Sequence, residues 1–257
     1  MKLSVSLHAA IPGKSLTTEQ KLRMAAELGY SAVEFWAWWE EDVEAVAKTA
    51  AASGLEIASV CTRFVSLVDP SAREQYLEGI AESIEAARRL GCRYLISQTG
   101  NAIPGVSREE QTASLIEGLQ AAGKLLEGTD ITLIVEPLNI LVDHPGYFLV
   151  HADEAADIIR RVDCPQVKLV YDVYHQQVSE GNLIPTIRKH MDTIAYFHIA
   201  DHPGRHEPGT GEIHYTNVLQ AIRDEGYNGY VGLEYFPQGE PDAALKKVLE
   251  EYGAFND

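Results

Sequence analysis

Residues 194–213 read IAYFHIADHPGRHEPGTGEI. The first six, Ile194 to Ile199, are aromatic, β-branched or small apolar residues interrupted by His198, the composition of a buried strand. The chain then turns at once into a loop crowded with Asp201, His202, Arg205, His206, Glu207 and Glu212. Pro203, Gly204, Pro208, Gly209 and Gly211 punctuate it. A connecting loop needs turn residues but has no need of so many ionisable groups beside a core strand. Loops carried on a rigid scaffold are where binding and catalysis concentrate. The fold therefore turns on what else points at the end of this strand.

Outward from residue 194 the same alternation of apolar run and amphipathic segment repeats in both directions. Strands are expected at Leu3–Leu7, Ala32–Phe35, Leu55–Val60, Arg93–Ser97, Ile131–Val135, Val167–Tyr171, Ile194–Ile199 and Tyr230–Leu233. Helices are expected at Thr17–Leu28, Glu41–Ala52, Ser71–Leu90 and Ser107–Leu126 in the first half. In the second half they fall near Ala152–Arg161, Leu183–His190, Tyr215–Glu225 and Asp242–Tyr252. Gly29, Gly54, Gly91 and Gly226 follow helix ends as stop signals, and Ser107 with Glu110 has the spacing of a capping box. Strands that are continuous apolar runs belong to a parallel sheet buried on both faces. Eight strand–helix units in 257 residues point to an α/β fold, a closed (β/α)8 TIM barrel spanning residues 1–257 as one domain. No glycine-rich turn follows the first strand, so no nucleotide cofactor is expected.

Composition narrows the function. Thirty-eight acidic against 21 basic residues leave a formal charge of −17, which opposes a nucleic-acid partner because phosphate binding needs clustered Lys and Arg. No run of about 18 apolar residues exists to span a membrane, and the N-terminus lacks the layout of a signal peptide. Cys61, Cys92 and Cys164 are widely spaced and form no CxxC pair. Together these features predict a soluble, reduced, cytoplasmic protein without a disulfide framework or structural zinc site.

In a (β/α)8 barrel the chemistry lies at the C-terminal strand ends. Those ends in the second half carry Glu136 after ITLIV, Asp172 after VKLVY, His198 within YFHIA and Glu234 after YVGL. Each sits where a charged group is expensive to bury without a partner. Singly, each has an ordinary explanation as a helix cap, an ion-pair partner or a satisfied core histidine. Four on consecutive strands at one level are better explained together, as a cage for a hard divalent cation: Mn²⁺ or Mg²⁺, with Co²⁺ also suited.

Several motifs carry a resemblance. VEPLN at residues 135–139, HPGYFL at 144–149, YDVYHQQ at 171–177, HIADHPGRHEPGTGEI at 198–213 and GLEYFP at 232–237 resemble the hydroxypyruvate isomerase family, in the xylose-isomerase-like group of TIM barrels. The match is specific over roughly residues 131–237; the first half matches mainly in its βα rhythm. The resemblance implies a divalent-metal-dependent enzyme acting on a small hydroxy-carbonyl compound, with Glu136, Asp172, His198 and Glu234 as ligands. It also implies Glu136 and Glu234 as the acid/base pair. Some family members carry Gln in place of the histidine, so the metal's identity does not transfer.

Interconverting an α-hydroxyketone and an α-hydroxyaldehyde moves a proton between adjacent carbons through an enediolate, with an acid and a base in reach. His175, three residues after Asp172, is a candidate for substrate contact or for orienting the ligand carboxylate. Arg205 is a candidate anchor for a substrate carboxylate, its alternative being an ion pair with Glu207, Glu212 or Asp201. Gln98 and His8, at other strand ends, are further candidates for lining the pocket. Trp36, Arg63 and Phe64 are lesser ones, and packing is the better reading of Trp36, Trp38 and Trp39. Asp143 and His144, before Pro145-Gly146, belong to a loop that can lie over the pocket, and turn chemistry explains Asp143 equally well. The partner is then a small sugar or hydroxy-oxo-acid, and self-association into a homo-oligomer is open. A ketose 3-epimerase or an isomerase of a larger oxo-sugar acid is the alternative within this barrel type. A DNA-repair endonuclease on a related barrel is opposed by charge.

Overall fold

The apolar runs become eight parallel strands that close on themselves in sequence order. The computed structural model describes residues 1–13 and 15–256. Its strands are β1 Lys2–Ser6, β2 Ala32–Phe35, β3 Glu56–Cys61, β4 Tyr94–Ser97, β5 Thr132–Val135, β6 Val167–Asp172, β7 Ile194–Ile199 and β8 Tyr230–Leu233. β1 pairs with both β2 and β8, which closes the (β/α)8 barrel. Among the described residues the helices are α1 Thr18–Glu27, α2 Val43–Ala52, α3 Arg73–Leu90, α4 Arg108–Leu126, α5 Ala152–Val162, α6 Val173–Ser179, α7 Leu183–His190, α8 Tyr215–Asp224 and α9 Pro241–Tyr252.

Local chemistry explains the boundaries. Ser107 and Glu110 form the expected capping box on α4, and Thr17 with Gln20 forms another on α1. α3 ends where Gly91 takes a left-handed φ of +67°, a conformation that costs other residues a Cβ clash. One element departs from the sequence reading. The stretch after β6, expected as loop, is the seven-residue helix α6. It is too short to show a period, and its N-cap is Asp172, whose Oδ1 accepts the His175 backbone N–H at 3.0 Å.

Two apolar clusters hold the fold. The larger packs the outer strand faces, such as Val5, Val33, Leu95, Leu133 and Phe197, against helix residues such as Leu22, Val46, Ile80 and Leu119. Each such fully buried side chain contributes roughly 1.5–3 kcal/mol. The smaller cluster, Ala58, Cys61, Ile96, Ile134, Val170 and Tyr196, fills the barrel interior. Alternate residues of a strand face the same side, so Ile134, Val170 and Tyr196 place Glu136, Asp172 and His198 one layer higher. Strand register completes that layer by setting Asp172 opposite His198 and His198 opposite Gly232. No helix among the described residues is long and apolar enough to cross a membrane.

Candidate active site

Glu136, Asp172, His198 and Glu234 each offer one ligand atom at the strand ends, and these atoms lie within 4.8 Å of one another. All four residues are buried. His198 turns Nδ1 toward the carboxylates, 3.0 Å from Glu136 Oε1 and 3.6 Å from Glu234 Oε2. Asp172 divides its two oxygens: Oδ1 caps α6, while Oδ2 is buried without a hydrogen-bond partner. A buried, unpartnered carboxylate oxygen is costly unless a cation meets it. Three carboxylates and one imidazole within reach of a single point fit a hard divalent ion.

Electrostatics follow from this crowding. Burial pushes the Glu136 carboxyl up to about 7, although the hydrogen bond and charge of His198 pull the other way. Burial opposes a charged His198 imidazole, but the carboxylates of Glu34, Glu234 and Glu136 outweigh it and push the ring well above its usual range. Burial likewise opposes Arg205, and Glu234, Asp172, Glu136 and Asp143 more than compensate, so its guanidinium stays charged.

The flanking groups are ordered around Glu234 and Asp172. Arg205 Nη2 donates to Glu234 Oε2 at 2.5 Å and lies 3.7 Å from Asp172 Oδ2. The ion pairs considered for Arg205 within its own loop are therefore replaced by one across the barrel mouth. Arg205 reaches inward from a left-handed backbone conformation, φ +56°, with its guanidinium 5.3 Å from the Tyr174 ring centroid. Trp36 is more than packing, because its indole N–H donates to Glu234 Oε1 at 2.8 Å. His8 stacks on Trp36 at 5.2 Å and accepts its backbone N–H at Nδ1. His8 thus supports the rim through Trp36.

His175 belongs to α6 and is fully buried. Its Nδ1 accepts the Asn139 backbone N–H at 3.2 Å, which leaves Nε2 to carry the ring proton, 3.6 Å from Asp172 Oδ2 and without a hydrogen-bond partner. Burial first, and the charge of Arg205 second, lower the His175 pKa well below the usual range, so the ring is neutral. Asp143 accepts from Asn139 Nδ2 at 2.7 Å and from the Tyr174 hydroxyl at 2.8 Å, tying the loop after β5 to α6. His144 packs 5.4 Å from the His175 ring. Gln98 contacts Cys61 Sγ at 3.8 Å through Nε2, and its Oε1 is buried without a partner. Of the remaining loop groups, Asp201 accepts the backbone N–H groups of His202, Gly209 and Ile213. Glu207 accepts from Gln238 N, and Glu212 from Gln177. These groups shape the loop and lie outside the ligand set.

Two participants escaped sequence reading. Asn139, in the VEPLN motif, has no signal of its own, yet it meets His175 Nδ1 and donates to Asp143. Glu34 sits inside β2 with 2% exposure and faces His198 from the side opposite the ligand set. Its signal was a lone carboxylate in the apolar run AVEF.

The profile of the xylose isomerase-like TIM barrel family matches residues 22–252. The chain belongs to that family. The hydroxypyruvate isomerase of Escherichia coli (strain K12) is 35% identical over 235 residues, which are 88% of this chain and 90% of that protein. The 2-oxo-tetronate isomerase of Cupriavidus necator is 29% identical over 176 residues, 68% of this chain and 67% of its own. A solved structure from Brucella melitensis, described as an AP endonuclease of family 2, superposes with a TM-score of 0.91. It is 29% identical and covers 100% of this chain and 99% of its own. Membership in the xylose isomerase-like family agrees with the resemblance carried by the motifs of residues 131–237.

Proposed function

We propose that this chain is a divalent-metal-dependent isomerase interconverting a small α-hydroxyketone and α-hydroxyaldehyde, of the hydroxypyruvate and tartronate semialdehyde type. The coarser reading, an enzyme of the sugar-isomerase kind, is supported by the two isomerase relatives. The observation that carries the finer one is the pairing of Glu136 and Glu234 on one buried point, with Arg205 beside them.

A divalent ion held by Glu136, Asp172, His198 and Glu234 would supply Lewis-acid polarisation of the substrate's carbonyl and hydroxyl oxygens. The chain's own residues do the rest. One of the two glutamates takes the proton from the hydroxyl-bearing carbon, the C–H electron pair moves into the enediolate, a proton returns to the neighbouring carbon, and the hydroxyl proton passes from its oxygen to the former carbonyl oxygen. Atoms and electrons balance without any oxidant. Trp36 and Arg205 each donate to one oxygen of Glu234, which fixes the plane of that carboxylate. His175 presents a neutral Nε2–H to the same space as a donor for a substrate oxygen. Arg205 anchors the substrate carboxylate, its fork geometry being suited to two parallel hydrogen bonds. Gln98, whose buried Oε1 has no hydrogen-bond partner, is a further candidate for meeting the substrate. Mn²⁺ and Mg²⁺ are the metals proposed.

Arg205→Lys is expected to raise KM for a carboxylate substrate about 10-fold or more beyond its effect on a neutral ketose, since Lys lacks the bidentate fork. Steady-state kinetics on hydroxypyruvate and a ketohexose check this, and equal effects on both refute the anchor. Metal binding should also depend on pH in a defined direction. Glu136, pushed up to about 7, holds a proton below that value which an incoming cation must displace. Affinity for Mn²⁺ is therefore expected to fall as pH drops through about 7, with proton release visible as buffer-dependent heat in titration calorimetry. Affinity that is flat with pH contradicts the assignment of Glu136.

A longer oxo-sugar acid or a ketose is the second reading, favoured by the 2-oxo-tetronate isomerase relative. Turnover with Mn²⁺ on hydroxypyruvate, four-carbon oxo-acids and ketohexoses separates the two. The formal charge of −17 opposes nuclease chemistry on either reading.

A further inference from the structure

We propose that Glu34 is the positioning residue for His198, holding the Nε2 edge of the imidazole so that Nδ1 faces the metal-binding point. The proposal rests on the metal-site reading above and adds a residue outside the ligand set. Glu34 lies in the middle of β2, where both flanking residues, Val33 and Phe35, are buried apolar groups. A carboxylate there is costly, and the surroundings show what offsets it. Oε2 accepts from the Tyr196 hydroxyl at 2.5 Å and the Ser59 hydroxyl at 3.3 Å. Oε1 faces His198 Nε2 at 3.2 Å, and neither of these two atoms has another hydrogen-bond partner. The contact is close but not well aligned, so its strength lies in charge and proximity. His198 is completely buried, and its two ring nitrogens thus meet two different carboxylate environments: Glu34 on one edge, Glu136 and Glu234 on the other.

Gly232 gives an independent sign that the pair is built into the barrel. It pairs with His198 in the β7–β8 register. A Cβ added there would stand 2.5 Å from both Glu34 Oε2 and His198 Cδ2, nearer than side-chain carbons approach. Its neighbours Val231 and Leu233 are ordinary apolar strand residues, so the glycine is explained by the Glu34–His198 contact and not by a turn or a left-handed φ. A carboxylate that fixes the tautomer and orientation of a ligating histidine typically contributes 10–100-fold to metal affinity. Glu34, Tyr196 and Ser59 form that support here.

The test is Mn²⁺ titration by calorimetry on the full chain, paired with the imidazole N–H resonance of His198 in ¹⁵N-histidine-labelled protein. In the wild type the Nε2–H signal should be downfield and protected from solvent exchange. Glu34→Ala should abolish that protection and weaken Mn²⁺ binding about 10–100-fold. Glu34→Gln, which keeps an acceptor, should recover most of both. If Glu34→Ala does not fold, Gly232→Ala replaces it, since it pushes the pair apart while keeping both side chains. A folded Glu34→Ala or Gly232→Ala protein with wild-type Mn²⁺ affinity, or with the His198 signal unmoved, overturns the proposal. Failure of the wild type to bind Mn²⁺ sinks the metal-site reading instead, and the His198 resonance still decides the role of Glu34.

Discussion

Glu136→Gln and Glu234→Gln are each expected to leave a folded barrel and to lower kcat by roughly 10³-fold or more, the scale of general acid–base catalysis with some loss of ligand charge added. The amide keeps the size of the side chain, but it offers one oxygen where Glu234 offers two, so only one of Trp36 and Arg205 keeps its acceptor in Glu234→Gln. What disappears is a group able to take and return a proton at the substrate carbon. For Glu136→Gln, stability should not fall in step. Glu136 is buried among Glu234 and Asp172, and removing one like charge from such a cluster relieves repulsion. Kinetics and thermal melts on the same preparations check both halves of the expectation. Turnover near the wild-type value in either variant removes that residue from the proton-transfer pair, and an unfolded protein in both would show that the carboxylates serve structure.

Metal addition is expected to have the next largest effect. An ion at 1,000 times its dissociation constant stabilises the protein that binds it by about 4 kcal/mol. At roughly 2–4 °C per kcal/mol for a chain of this size, Tm should rise by about 8–16 °C. Asp172→Asn isolates the cause, because Asn is as good an N-cap as Asp and so preserves the start of α6. It removes the charge whose Oδ2 makes no hydrogen bond and has Arg205 Nη2 at 3.7 Å and His175 Nε2 at 3.6 Å. The variant is expected to melt near the ion-free wild type and to show most of the Tm response gone. Scanning calorimetry with and without Mn²⁺ measures this, and a wild type whose Tm ignores the ion would contradict the cage.

The barrel was legible because its signal is repeated: eight apolar runs alternating with eight amphipathic stretches leave little room for another topology. Ligand candidates were legible for a related reason. A charge at the end of ITLIV, VKLVY or YVGL is visible as a break in hydrophobicity, and barrel geometry says where such breaks point. Side-chain partnerships were not legible. Trp36 as a donor to Glu234 joins β2 to β8, and its sequence neighbours Trp38 and Trp39 favour reading it as packing. Arg205 bonded to Glu234 requires a left-handed residue and a loop folded back over the mouth, neither of which the glycines and prolines specify. α6 was hidden by its length, since two turns show no period. Glu34 was hidden in plain sight, a charged residue in β2 whose importance depends on His198, a residue of β7 that no local pattern connects to it.

The central claim joins a metal, a pair of glutamates and a three-carbon hydroxy-oxo-acid. It is tested most directly by incubating the Mn²⁺-loaded protein with hydroxypyruvate, with and without excess chelator, and separating the products by chromatography. The account predicts that tartronate semialdehyde forms and that chelation stops it. No product in either case, or equal product in both, would contradict it.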